Sequence, residues 1–164
     1  SPPGANGLLM LPYFSGERTP IHDVSAKGAM FGFNLTHTRG DMYRALIEGI
    51  AHGTRHVTDT FTQLGQAPTR LLAVGGGTKN ALWLQVTSDI TGIDQIVCEK
   101  TTGASYGDAF LAAISIGLVE RDAISTWNPA VKTIISQPSA AYDKAHGLFH
   151  RLYEQTKDIA IELT

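Results

Sequence analysis

Cysteine is almost missing from this chain: Cys98 stands alone among 164 residues. No intrachain disulfide can form, and a reducing compartment, the cytoplasm, is expected. Cys98 lies in the apolar run Gln95-Ile96-Val97-Cys98, which reads as a strand with a buried thiol rather than a nucleophile. Long hydrophobic runs are missing too. No stretch approaches the ~18 apolar residues that cross a bilayer, and no charged region followed by an apolar core opens the chain, so neither a membrane partner nor an export signal is read. Nor is there an excess of positive charge. The 13 basic and 15 acidic residues leave a formal charge of −2, and without a basic run this excludes the electrostatic footprint of a nucleic-acid binder. Repeats, low-complexity tracts and charged linkers are absent. What remains is a chain of single-domain length, 43% hydrophobic, with core enough to fold and with small molecules or proteins as partners. Its first residue, Ser1, is not methionine, as expected of a piece excised from something longer.

The most informative stretch is Leu71-Leu72-Ala73-Val74-Gly75-Gly76-Gly77-Thr78-Lys79-Asn80-Ala81-Leu82-Trp83. An apolar segment of strand length stops at three glycines and resumes with helical spacing. Glycines let a backbone approach a ligand, and the first N–H groups of a helix offer unpaired donors with partial positive charge. A nucleotide suits such a turn, and so does a bland alternative in which the glycines only let the helix pack close to the strand. The dinucleotide fingerprint fails, because Asn80 stands where a third glycine is needed, and there is no P-loop string.

Around this turn the pattern is that of an α/β fold. A strand is expected at Gly7–Leu11, an exposed loop at Ser15–Pro20 and a second short strand at Ala29–Phe33. From about Asp41 to Leu64 the residues Met42, Leu46, Ile50, Val57, Phe61 and Leu64 recur on one helical face, with Thr38 placed as N-cap. Gly49 and Gly53 flank that face and predict the close approach of another backbone. A helix over roughly 80–91 ends at Gly92, and a strand at 95–98 completes a β-α-β unit with parallel pairing. A helix from about Tyr106 to Ile116, a strand at Thr133–Ile135 and a helix near 140–163 follow, the last with Ala145, Phe149, Leu152, Ile159 and Leu163 on one side.

Other candidates have plainer readings. Glu48, His52, His56 and Asp59 share the helix face opposite Ile50 and Val57. The histidines have the spacing of a metal pair, yet no third ligand is apparent, so the face is read as solvated and no metal site is assigned. Glu17 and Arg18, adjacent in a glycine-proline loop, are placed either to position a phosphate or partner or simply at the surface. Asp108 is read as a helix-capping carboxylate rather than a general base, and Trp83 and Trp127 as packing residues. Gly103 and Gly107 strip a second helix start of side chains, so two bare turns could face one ligand.

Taken together, Leu11-Pro12-Tyr13-Phe14-Ser15-Gly16-Glu17-Arg18-Thr19-Pro20, the block from Gly28 to Gly49, and Gly75-Gly76-Gly77-Thr78-Lys79-Asn80 with Trp83 and Gln85 resemble the C-terminal domain of FGGY-type carbohydrate kinases. The order and spacing match from about Gly7 to Gly117, and the look is closest to the xylulokinase-like members. Phe33, Leu46 and Asp108 depart from the family's usual residues. The resemblance implies one lobe of an actin-like (ribonuclease H-like) ATPase fold, with a mixed or parallel sheet packed by helices. Residues 1–40 would supply leading strands and a loop, and 41–164 the β-α-β core. It implies ATP and Mg2+, a sugar hydroxyl as phosphoryl acceptor, a xylulose-like ketose as favoured substrate, and compatibility with a homodimer. By motif match Gly76, Gly77 and Asn80 would lie against adenosine, with Gly75 and Thr78 shaping the turn. The family's catalytic aspartate, sugar contacts and phosphate loop belong upstream of Ser1, so no catalytic residue is assigned and the chain alone is expected to be inert. Two rival readings remain at this stage. A dinucleotide-binding oxidoreductase would use Glu99, about 20 residues past the glycines, for a ribose; a non-catalytic actin-like module would bind nucleotide without a partner lobe.

Overall fold

In the computed structural model, which describes residues 1–163 with Ser125 by its backbone alone, two small sheets and five helices alternate. Strands β1 (Leu9–Leu11) and β2 (Ala29–Phe31) pair antiparallel as a separate ribbon. Helix α1 (Arg39–Gln63) follows. Then come β3 (Leu71–Ala73), α2 (Ala81–Thr91) and β4 (Gln95–Cys98), with β3 and β4 parallel. Helices α3 (Ala104–Ser115) and α4 (Ile124–Trp127) lead to β5 (Ala130–Ile134), which pairs antiparallel with β4, and α5 (Ala140–Glu162) closes the chain. The β-α-β unit is therefore present, and the sheet it belongs to is mixed.

Helix α1 begins where the capping residues dictate. Thr38 Oγ1 accepts from Asp41 N, and the Asp41 carboxylate accepts in return from Thr38 N at 2.7 Å, satisfying donors that a bare helix end leaves open. Asp41 also accepts from Asn6 Nδ2 at 2.8 Å, which fastens the leading segment to the helix. Gly49 sits directly beneath β1, where an added Cβ would overlap the Met10 carbonyl. The close approach expected at this glycine is found. At Gly53 it is not, because nothing lies within 4 Å of an added Cβ there.

The expected face of α1 needs correcting. Met42, Phe61 and Leu64 are 42%, 49% and 72% exposed, whereas Ala45, Glu48, Ala51 and His52 are buried. The supposedly solvated stripe of Glu48 and His52 faces α5. Small residues let α1 approach β1, α2 and α5 closely, and Glu48 and His52 are buried on that face because both are partnered. Glu48 Oε1 accepts from Arg44 Nε at 2.8 Å, from Gly4 N at 2.9 Å and from the Tyr142 hydroxyl at 3.3 Å. Arg44 Nη2 donates in turn to Tyr142 Oη at 2.7 Å. Burial, with Glu48 beside it, pushes the Tyr142 phenol up to about 12.

Ile47, Ala51, Val86, Ile90 and Tyr142 form the core between α1, α2 and α5, with Trp83 against it as expected. Leu84, Val97 and Ile134 join α2 to the sheet. A buried polar relay holds the same joint: Gln95 Nε2 donates to Leu84 O and Ser88 Oγ, and Ser88 Oγ donates to Ile134 O. On α5, Phe149 and Leu152 are buried against Leu11 and Tyr13, while Ile159 and Leu163 are 58% and 73% exposed. The apolar stripe read for that helix is used only as far as the leading strands reach. Cys98 is free and half-buried in β4.

Candidate nucleotide-facing site

Strand β3 ends at Ala73, and two residues later Gly75 takes φ +81° and ψ −168°, a conformation that L side chains rarely adopt. That turn throws the chain sideways into a single 3-10 turn, Gly76–Lys79. Gly75 N donates to Thr101 O at 2.6 Å, so the loop after β3 is tied to the loop after β4. Thr78 N and Thr78 Oγ1 both donate to Gly75 O, at 3.2 and 2.7 Å. The hydroxyl is thus consumed inside the turn, the shaping role expected of it.

The glycine turn precedes helix α2, which starts at Ala81, next to the start expected near residue 80. Asn80 is the N-cap, and its Oδ1 accepts from Trp83 N at 3.1 Å. Its Nδ2 donates to Tyr43 Oη at 2.6 Å, linking the turn to the first turns of α1. Nothing local in the sequence joins residues 43 and 80, so Tyr43 was missed. The glycines differ in their surroundings. An added Cβ at Gly77 would rest on the Trp83 ring at 3.5 Å, while at Gly76 nothing lies within 4 Å. Gly76 is exposed backbone facing open space, at the end of the parallel strands where open α/β sheets receive ligands.

The second bare turn is alongside. Gly103 has φ +86° and N-caps α3, and an added Cβ there would meet only Val74 Cγ2, at 4.0 Å. Two cavities flank β3. One of ≈ 370 Å³ lies toward α1 and α2, with Ile50, Thr54, Gly77, Thr78 and Trp83 in its wall. The other, ≈ 550 Å³, lies under α3 between Ile96, Cys98, Phe110 and Trp127. Trp127 packs on Tyr106 and Phe110, as expected of a packing residue.

The remaining candidates do not join this site. Asp108 lies in the second turn of α3, exposed, and no acidic residue occupies the first turn, so its capping role is withdrawn. Glu17 is spent within its own loop, pairing with Asp23 through the backbone and accepting from Thr19 N at 3.2 Å. Glu99 is held at the surface by Lys100 Nζ at 2.8 Å, which lowers its carboxyl. With β5 antiparallel beside it, the sheet offers no second βαβ half for a dinucleotide among the described residues. Among the described residues no group of three His, Cys, Asp or Glu is arranged to hold a metal ion, and no helix is long and apolar enough to cross a membrane.

Comparison with known proteins agrees with this geometry. Residues 1–116 match the C-terminal domain of the FGGY family of carbohydrate kinases. Xylulose kinase of Bacillus subtilis is 34% identical over 96% of this chain, and gluconokinase of the same organism 33% identical over 75%. The crystal structure of xylulose kinase from Rhodospirillum rubrum superposes with a TM-score of 0.82 at 32% identity over 97% of the chain. Ligand-bound xylulose kinase from Lactobacillus acidophilus does so with a TM-score of 0.88 at 25% identity over the whole chain. The chain spans about a third of the length of these xylulose kinases, 32% to 34%. The fold is accordingly that of an actin-like ATPase lobe, and by its sequence and its structure alike the chain belongs to the FGGY family of carbohydrate kinases, as their C-terminal domain.

Proposed function

We propose that this domain is the adenosine-facing wall of an ATP-dependent sugar kinase whose favoured acceptor is a xylulose-like ketose. Gly76, Gly77 and Asn80 would lie against adenosine, while Gly75 and Thr78 hold the turn that presents them. The observation that carries the reading is Gly76: its backbone is open, while the turn around it is fixed by Gly75 to Thr101 and by Asn80 to Tyr43. A rigid, side-chain-free edge lets a ligand approach the backbone closely and lowers the ordering cost of binding. Phosphoryl transfer then depends on positioning and on stabilising charge. This chain supplies the first for the nucleoside end. In keeping with the family resemblance, the Mg2+ ligands, the general base and the sugar contacts are assigned to the remainder of a longer, two-lobed kinase. A cytoplasmic setting is proposed with it, in keeping with the free thiol of Cys98.

The test is sugar-dependent ADP release by the longer protein across pentuloses, polyols and gluconate. Turnover with ATP and a ketose is expected, and none from the 164-residue chain alone. A folded, complete protein that turns over no sugar would count against the reading. Turnover by the isolated domain would place a catalytic base among residues read as structural.

A further inference from the structure

Where α1 crosses α5, four imidazoles meet. His52 and His56 come from α1, and His146 and His150 from α5. His52 is 2% exposed and His146 7%. Their rings stack at 5.3 Å, with Nδ1 to Nδ1 at 3.3 Å. His146 Nε2 lies 3.0 Å from His150 Nε2 and 3.2 Å from Asp59 Oδ2. The His56 ring stands edge-on to His150 at 4.3 Å, and its buried Nδ1 has no hydrogen-bond partner. Phe149 closes the cluster against His52 at 5.6 Å.

We infer that this cluster is a proton-sensitive latch: neutral, the four rings hold α5 on α1, and in mildly acidic solution their protonation releases α5. A neutral imidazole carries one N–H and one lone pair, so a row of neutral rings can satisfy contacts of 3.0 and 3.3 Å in sequence. Once two neighbours are imidazolium, N–H faces N–H and positive charge faces positive charge. Asp59 can offset one such charge. The other charged groups around the seam act in both directions. Arg55 of α1 adds positive charge, its Nη1 on Asp143 of α5 at 2.7 Å and its Nε 3.7 Å from Asp59. Glu154 of α5 favours a proton on His150, and Glu17 of the leading loop one on His56. Tyr13, packed on Phe149, contributes a neutral phenol.

Burial, followed by the neighbouring imidazoles and Arg55, lowers the His52 ring to about 3. Burial, His150 and Arg55 lower His146 to about 4, and burial foremost lowers His56 and His150. A depressed histidine binds fewer protons when buried than when released. The latch is therefore fully held above the ordinary imidazole value of about 6.5 and weakens as pH falls below it, by up to about tenfold in the opening equilibrium per pH unit for each ring that must stay neutral.

Native-state hydrogen exchange on the full chain, corrected for intrinsic rates, tests this between neutral pH and mild acid. Protection in Ala140–Glu162 is expected to fall at least about tenfold, and that in Ala81–Thr91 to fall much less. His146→Gln, a neutral side chain that still hydrogen-bonds, is expected to reduce the pH dependence of α5 by the share of that ring, the other three remaining. Should that variant not fold, His150→Gln at the more accessible end is expected to reduce it. Equal loss in both helices, unchanged protection in α5, or full pH dependence in the variant that folds would each overturn the latch.

Discussion

Gly76→Val is expected to weaken ATP binding by about 10- to 100-fold in the complete kinase while leaving the sugar KM nearly unchanged. Crowding a close contact costs about 1–3 kcal/mol, and each ~1.4 kcal/mol is tenfold in affinity. The substitution is clean because a Cβ at this position meets no protein atom within 4 Å. A side chain added there therefore starts from open backbone rather than from a packed contact of this domain. Gly75 would be a poor choice, since its φ of +81° strains any side chain, and Gly77 would confound the result through the Trp83 ring. Circular dichroism first establishes that the variant is folded, and calorimetry with ATP and steady-state kinetics on sugar then separate the two affinities. Equal losses for both substrates would indicate a damaged lobe. Unchanged ATP affinity would remove the glycine turn from the nucleotide site.

Two glycines on one helix are expected to respond with opposite signs. Gly49→Ala forces a methyl group onto the Met10 carbonyl, and neither backbone can rotate away as a side chain would. The joint between α1 and β1 must open, at a cost of about 3 kcal/mol or more, which lowers Tm by roughly 6–12 °C for a chain of this size. Gly53→Ala meets nothing within 4 Å and replaces the more flexible residue inside a helix, so it should stabilise by about 0.5–1 kcal/mol. Thermal melts of the two variants decide the matter. Similar shifts in the same direction would mean that packing at Gly49 is not what the structure describes.

This contrast shows what sequence patterning can and cannot reach. Periodicity found α1, α2, β3, β4 and α5 because their ends carry local chemistry: Thr38 and Asp41 in a capping box, Asn80 as N-cap, Gly92 in a left-handed C-cap. The glycine turn was legible because only glycine accepts the Gly75 conformation. The orientation of α1 was not. Hydropathy ranks Met42 and Phe61 as core and Glu48 and His52 as surface, whereas the structure buries the latter pair. The reason is long-range. Glu48 pairs with Arg44 one turn away but is capped by Tyr142, and His52 is covered by His146 and Phe149, these last three nearly a hundred residues away in the chain. Tyr43 was hidden for the same reason, since its role exists only once α1 is folded beside Asn80. Asp108 failed differently: α3 starts at Ala104, so a carboxylate that looked terminal lies one turn inside.

Titrating ATP into the isotopically labelled chain, with the backbone amides followed by NMR, decides whether the Gly75–Asn80 turn is the nucleotide-facing edge of this domain. Weak binding in the millimolar range is expected, with the amides of Gly76, Gly77, Thr78 and Asn80 moving together along one binding isotherm and those of α5 unmoved. Perturbations centred elsewhere, or these four amides unmoved at millimolar ATP, would contradict it.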